Sequence, residues 1–151
     1  MKNKILAFLI RDNKFLALRN NPADPKHGGD YWFTVTGSVE AGESSEDAVK
    51  REIKEETNLE TLELFNLNWG SIYSWGGEDK SEDNFLAFVK GGKITLNKEH
   101  VGYEWLNLEE FISKIKWDLN KEEIKKVLKK ALKKELYFNK KKIDDFRKKV
   151  A

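Results

Sequence analysis

The chain has 151 residues, 39% hydrophobic and 36% charged, with nine Phe, five Trp, two His and no Cys. That length suits a single domain spanning 1–151, and the aromatic content excludes a wholly disordered chain. The missing Cys excludes disulfides, thiolate metal sites and cysteine nucleophiles, and two distant His argue against a His-rich zinc site. The net charge of +2 conceals an asymmetry: residues 121–151 carry 13 Lys and Arg against 5 Asp and Glu, whereas residues 1–120 carry 15 against 21. An acidic body therefore carries a basic tail, and such a body needs metal ions to handle an anionic substrate.

Lys2 and Lys4 precede the apolar run Ile5–Ile10 in the manner of a signal peptide, but only six apolar residues follow before Arg11 and Asp12. A first strand is expected there, with a cytoplasmic location and no membrane partner. No run approaches the ~20 apolar residues that span a bilayer. Phe15–Leu18 completes a hairpin across Asp12-Asn13-Lys14. Asn20 to Asp30, with two Pro and two Gly, reads as a loop. His27 within it is a phosphate-contact candidate or a solvated loop residue. Tyr31–Thr36 is β-branched and aromatic and reads as a strand.

Ser44 is a good N-cap with Asp47 three residues on, so a helix is expected through Glu56 or Thr57 and ending at Asn58. Leu62–Leu67, Ser71–Ser74, Asn84–Val89, Lys93–Leu96 and Tyr103–Leu106 read as strands, with a polar loop from Trp75 to Asp83. Asn107 with Glu110 caps a helix over Leu108–Ile115, and Asn120 with Glu123 caps a longer one. In the latter, Ile124, Val127, Leu128, Ala131, Leu132 and Leu136 form an apolar stripe opposite six Lys. This basic helical segment, 120–151, is a candidate RNA contact; its Lys spacing equally suits a solvated face. The order of elements suggests an α/β sandwich with a mixed sheet.

Glu52, Glu55 and Glu56 stand at i, i+3 and i+4 and share one face of the expected helix. Hard carboxylate oxygens suit Mg²⁺, with Mn²⁺ as a substitute. The same spacing also occurs on plain solvated acidic faces. Gly37, Glu43, Arg51, Glu52, Ile53, Glu55, Glu56 and Leu59, within GSVEAGESSEDAVKREIKEETNL, resemble the box of the Nudix hydrolase family. Asn58 stands where that box usually has Gly, and Ser38 where a second Gly is frequent.

The resemblance implies a Nudix-type α/β/α sandwich and Mg²⁺-dependent hydrolysis of a diphosphate linkage. It implies metal ligation by Glu52, Glu55, Glu56 and the Gly37 carbonyl, and an Arg51–Glu43 pair fixing loop to helix. Trp32 to Glu40 is similar to the approach to the box in the branch of dihydroneopterin triphosphate and dATP pyrophosphohydrolases. Glu99-His100-Val101-Gly102-Tyr103-Glu104-Trp105-Leu106 is similar to an element of that branch and of dinucleoside tetraphosphate hydrolases. Glu99 is then a candidate general base or extra ligand, with Glu78, Asp79, Glu82 and Asp83 as substitutes for it. Arg19, Trp32 and Tyr103 are taken as substrate contacts.

The expected substrate is a nucleoside or pterin triphosphate or a dinucleoside polyphosphate, handled by a monomer or homodimer. RNA 5′-pyrophosphate removal and a non-catalytic, nucleotide-sensing domain are the alternatives.

Overall fold

The computed structural model describes residues 2–24, 29–75 and 77–135. His27 and Leu136 lie outside these residues. Ten elements follow in order: β1 (Lys2–Arg11), β2 (Lys14–Asn20), β3 (Trp32–Phe33), β4 (Val35–Ser38), α1 (Ser45–Thr57), β5 (Thr61–Trp75), β6 (Glu78–Val89), β7 (His100–Leu106), α2 (Leu108–Lys114) and α3 (Lys121–Leu132).

The strands form one seven-stranded mixed sheet, in the order β3-β2-β1-β6-β5, with β4 against β1 and β7 against β2. The central β1–β6 pair is parallel and the other pairs are antiparallel. β1 is buried on both faces, so its sequence is a continuous apolar run rather than an alternation. Alternate residues still serve opposite layers. Leu6, Phe8 and Ile10 pack with Phe111 of α2 and with Ile124, Val127 and Leu128 of α3. Ile5, Ala7 and Leu9 pack with Ala48, Val49 and Ile53 of α1. The expected α/β/α sandwich is what the chain forms, and among the described residues α1 is the helix of the second layer.

Local capping sets the helix ends. The Ser44 Oγ accepts from the Asp47 amide at 3.1 Å, and Asn58 closes α1 in the left-handed region at φ 63°. Asn107 and Glu110 form a reciprocal capping box on α2. The Asn120 side chain accepts from the Glu122 and Glu123 amides at the start of α3.

Four expectations need correction. Tyr31–Thr36 is interrupted at Thr34, whose hydroxyl donates to the Ala7 carbonyl, so β3 pairs with β2 while β4 pairs with β1. The two short strands before Trp75 are one strand, bulged between Asn66 and Gly70, where Asn68 adopts φ 50°. The polar loop expected from Trp75 to Asp83 is instead the paired tip of the β5–β6 hairpin, with Trp75 opposite Glu78 and Gly70 opposite Asp83. Cross-strand pairing, invisible in a local window, outweighs the polar composition there. Lys93–Leu96 makes no ladder; it is a stretch anchored by the Thr95 amide on the Thr57 carbonyl, with Ile94 buried against α1's layer.

Glu82 stands in register with Lys4 on the central pair. Burial pushes its carboxyl up to about 7, and the Lys4 charge opposes that rise only in part. The folded state thus holds a proton that the unfolded chain releases near pH 4.5. Stability is full below that pH, falls as pH rises towards 7, and stays reduced above. Glu82→Gln should therefore raise the melting temperature at pH 8 and leave it nearly unchanged at pH 4, as thermal unfolding at the two pH values would record.

Candidate active site

The site grows from the junction of β4, the loop after it, and α1. Glu43 sits in the loop and Arg51 in the second turn of α1. The Arg51 Nε donates to the Glu43 Oε2 at 2.8 Å and its Nη2 to the Glu43 Oε1 at 2.9 Å. This is the bidentate fork expected of the pair. The Arg51 hydrogen bonds, followed by the Glu40 amide, hold the Glu43 carboxyl down at about 2. Arg51 Nη2 also donates to the Ser38 carbonyl at 2.9 Å, so one guanidinium ties strand, loop and helix together.

The three box carboxylates differ sharply in exposure. Glu56 is 2% exposed, the Glu52 side chain 13% and the Glu55 side chain 53%. Glu52 and Glu55 both accept from Arg51 Nη1, at 2.8 and 3.3 Å. Burial raises the Glu56 carboxyl well above the usual range, reinforced by the neighbouring Glu52, Glu99 and Glu55. Four carboxylates thus act on one another around Glu56.

Glu99 reaches this group from the turn before β7. Asn97 holds it twice: its Oδ1 accepts from the Glu99 amide at 3.0 Å, and its Nδ2 donates to the Glu99 Oε2 at 3.1 Å. Glu56, Glu99 and His100 line a recess of about 20 Å³, with Phe33, Thr34 and Thr36 opposite. That is near the room one water needs. His100 Nδ1 lies 3.8 Å from the Glu56 Oε1.

Gly37 pairs with Ile5 in β4 and faces α1. A Cβ there would overlap the Glu52 carboxyl, so the position is reserved for a residue without a side chain. Gly37→Ala should displace Glu52 and lower turnover about 100-fold, the scale of a misplacement near 1 Å. Far-UV circular dichroism of the variant should match the parent; unchanged kinetics would show that Glu52 has no role there.

Whether these residues fit a divalent cation can be judged from their chemistry. The Glu56 Oε2 is buried and has no hydrogen-bond partner among the described residues. A buried oxygen among like charges is costly unless something positive meets it. Glu52, Glu55 and the Gly37 carbonyl are the nearby hard donors of the same segment. Among the described residues, no group of three or more His, Cys, Asp or Glu converges as a finished ligand set. The reason is visible: Glu52 and Glu55 are turned onto Arg51. The donor set fits; its final geometry requires those two side chains to turn.

Two of the three expected substrate contacts are engaged by other side chains. Arg19 is engaged by Asp30 through Nε and Nη2, at 2.9 and 2.7 Å. Trp32 carries the Lys114 ammonium over its ring at 4.4 Å. Tyr103 is 44% exposed on β7. Glu78, Asp79, Glu82 and Asp83 lie on the β5–β6 hairpin rather than in a loop. One participant was not singled out from sequence, Asn97, whose spacing two residues before Glu99 is an Asx-turn signal; His100 was read only as part of the Glu99–Leu106 element, with no role of its own.

The NUDIX domain family model matches residues 2–129. The chain belongs to the NUDIX domain family. The expected membership of the Nudix family is thereby borne out, as is the fold. One curated relative is the NAD-capped RNA hydrolase NudC of Mannheimia succiniciproducens, 29% identical over 108 residues; the match covers 70% of this chain and 39% of that protein. The chain thus spans about two fifths or less of the first curated relatives it matches. Among solved structures, the dihydroneopterin triphosphate pyrophosphohydrolase of E. coli superposes with a TM-score of 0.65 at 24% identity, covering 82% of this chain and 92% of that one. An Ap4A hydrolase of C. elegans superposes at 0.64 with 24% identity, covering 88% and 96%. Both share this Nudix fold. Among the described residues, no helix is long and apolar enough to cross a membrane.

Proposed function

We propose that this Nudix protein hydrolyses a diphosphate linkage in a nucleoside or pterin triphosphate, or in a dinucleoside polyphosphate, with Mg²⁺ or Mn²⁺. The observation that carries the reading is the Arg51 clamp. It holds Glu43, Glu52 and Glu55 beside a buried, unpartnered Glu56 oxygen. When bound, a divalent cation supplies charge neutralisation on phosphate oxygens and a water acidic enough to attack near neutral pH.

The chain's own residues do the rest. Glu52, Glu55, Glu56 and the Gly37 carbonyl hold the cation. Arg51 and Glu43 fix the loop carrying the approach to α1, so little reorganisation accompanies the reaction. Glu99, held by Asn97 in the same recess as Glu56, stands where it can accept the proton of the attacking water. Thr34 and Phe33 close the recess from the sheet side.

A second reading has its own support. The curated relatives include NAD-capped RNA hydrolases, and NAD contains a diphosphate linkage of the same kind. The basic face of α3 would suit an RNA strand, although Lys125 is engaged by Glu109 at 2.6 Å. The test is a panel with Mg²⁺: nucleoside triphosphates, dihydroneopterin triphosphate, Ap4A, NAD, NAD-capped RNA and 5′-triphosphate RNA. Release of pyrophosphate from a triphosphate, or cleavage of Ap4A, supports the first reading. Cleavage confined to NAD and NAD-capped RNA selects the second, and turnover of none contradicts both.

A further inference from the structure

Glu99 stands in the turn before β7, outside the ladder, and turn residues are held less firmly than ladder residues. The pairing of β2 with β7 decides where this turn points. Leu16 stands opposite Trp105 and Leu18 opposite Tyr103, and both leucines pack in α1's layer. Strict alternation would give the next place on that face to Val101. Instead the register slips: Arg19 is opposite Gly102, but Asn20 is opposite His100. Val101 is the extra residue of a bulge and is 50% exposed. The slip turns His100 towards α1, where its Nδ1 lies 3.8 Å from the Glu56 Oε1. Glu99 comes with it to the same recess. A bulge disrupts the ladder locally, so bonds from elsewhere must hold the chain beyond it.

Those bonds come from Asn21, the residue after β2. Its backbone amide donates to the Glu99 carbonyl at 2.9 Å, and its Nδ2 donates to the Lys98 carbonyl at 2.9 Å. Its Oδ1 accepts from the Ala23 amide at 3.0 Å, and its carbonyl accepts from the Asp24 amide at 3.1 Å. The second pair closes a β-turn with Asn first and Pro22 second, the places these residues favour. The Asx bond to Ala23 fixes the side-chain amide and aims its donor at the Glu99 turn. Asn97 meets that turn from its own side, through the Glu99 amide and carboxylate. Glu99 is thus held at its carbonyl by one asparagine and at its amide and carboxylate by another.

We propose that Asn21 is a positioning residue for the hydrolysis: it ties the bulged turn to the end of β2, so that Glu99 faces the recess beside Glu56. The inference rests on the reading of Glu99 as acceptor of the attacking water's proton. Asn21 is not among the residues that line the recess; it acts through the peptide it holds. A base must stand within hydrogen-bond reach of the proton it takes. A misplacement of about 1 Å can cost about 10²-fold in rate. Loss of Asn21 should therefore be felt in the chemical step and not in substrate affinity.

Two substitutions in the full chain separate the donor from the turn it belongs to. Asn21→Asp keeps an oxygen for the Ala23 amide but replaces the donor to Lys98 by an acceptor. Asn21→Ser keeps a shorter acceptor and adds no charge. With dihydroneopterin triphosphate, Ap4A and GTP as probes at saturating Mg²⁺, both should lower kcat about 10–100-fold and leave KM within about threefold. In the Glu99→Gln background the same substitutions should cost less than about twofold, because the group they misplace is already gone. Amide hydrogen exchange reads the turn without turnover: it should quicken at least about tenfold at Glu99 and His100 in both variants and stay unchanged in α1. Wild-type kcat in both variants, strict additivity with Glu99→Gln, or unchanged exchange at the turn would each overturn the proposal. Exchange quickened throughout α1 would also overturn it, as the mark of general loosening. Wild-type kcat in Glu99→Gln removes the base reading, and turnover of no probe by the parent removes the hydrolase reading. Either takes the present inference with it, whereas the results before them overturn it alone.

Discussion

Glu56→Gln should lower kcat by about 10²–10³, the loss typical of removing one strong electrostatic contributor, while the protein stays folded. Glu56 is the most buried of the box carboxylates, and its Oε2 has no hydrogen-bond partner among the described residues. Gln keeps the shape but removes the negative charge. It also relieves a buried carboxyl among Glu52, Glu99 and Glu55, so stability should hold or rise even as activity collapses. That opposite movement of two readouts marks a functional group held at a structural cost. Near wild-type kcat at saturating Mg²⁺ would remove Glu56 from the site.

Arg51→Ala should impair both folding stability and turnover, the latter by about 100-fold or more, because the loop and the Ser38 strand end lose their common tether. Its effect should be far from additive with Glu43→Ala. Each single variant destroys the same fork, so the double variant should be little worse than either, and strict additivity would argue against a direct pair. A pH signature accompanies this. The Glu43 carboxyl is depressed to about 2 from an ordinary value of 4.5. Its contribution is therefore present above pH 4.5 and is lost as pH falls towards 2. Acid unfolding of Arg51→Ala should show a shallower dependence across that window than the parent.

Local signals were legible and non-local ones were not. Ser44, Asp47 and Asn58 bound α1 because capping uses residues within one turn. The i, i+3, i+4 carboxylates follow from helix geometry alone, and the Arg51–Glu43 fork followed from resemblance to the Nudix box. The tip of the β5–β6 hairpin escaped because Glu78 to Asp83 is polar at nearly every position, and its stability comes from ladder partners across the turn. Read as a loop, Glu82 is a solvated carboxylate; read as a strand in register with Lys4, it is a partly buried one facing α3's layer. Arg19 was taken as a substrate contact; its partner Asp30 stands eleven residues on, beyond any local signal.

The central claim is that the α1 carboxylates form a divalent metal site. Titration of Mn²⁺ into the substrate-free chain, followed by electron paramagnetic resonance, addresses it without assuming a substrate. The account predicts saturable binding in the wild type, weakened at least about tenfold by Glu56→Gln and by Glu52→Gln. Even partners that only support a ligand typically cost 10–100-fold in affinity. Glu60→Gln, an exposed residue beyond the helix end, should leave the affinity unchanged. Equal Mn²⁺ affinity in all four proteins would contradict the account.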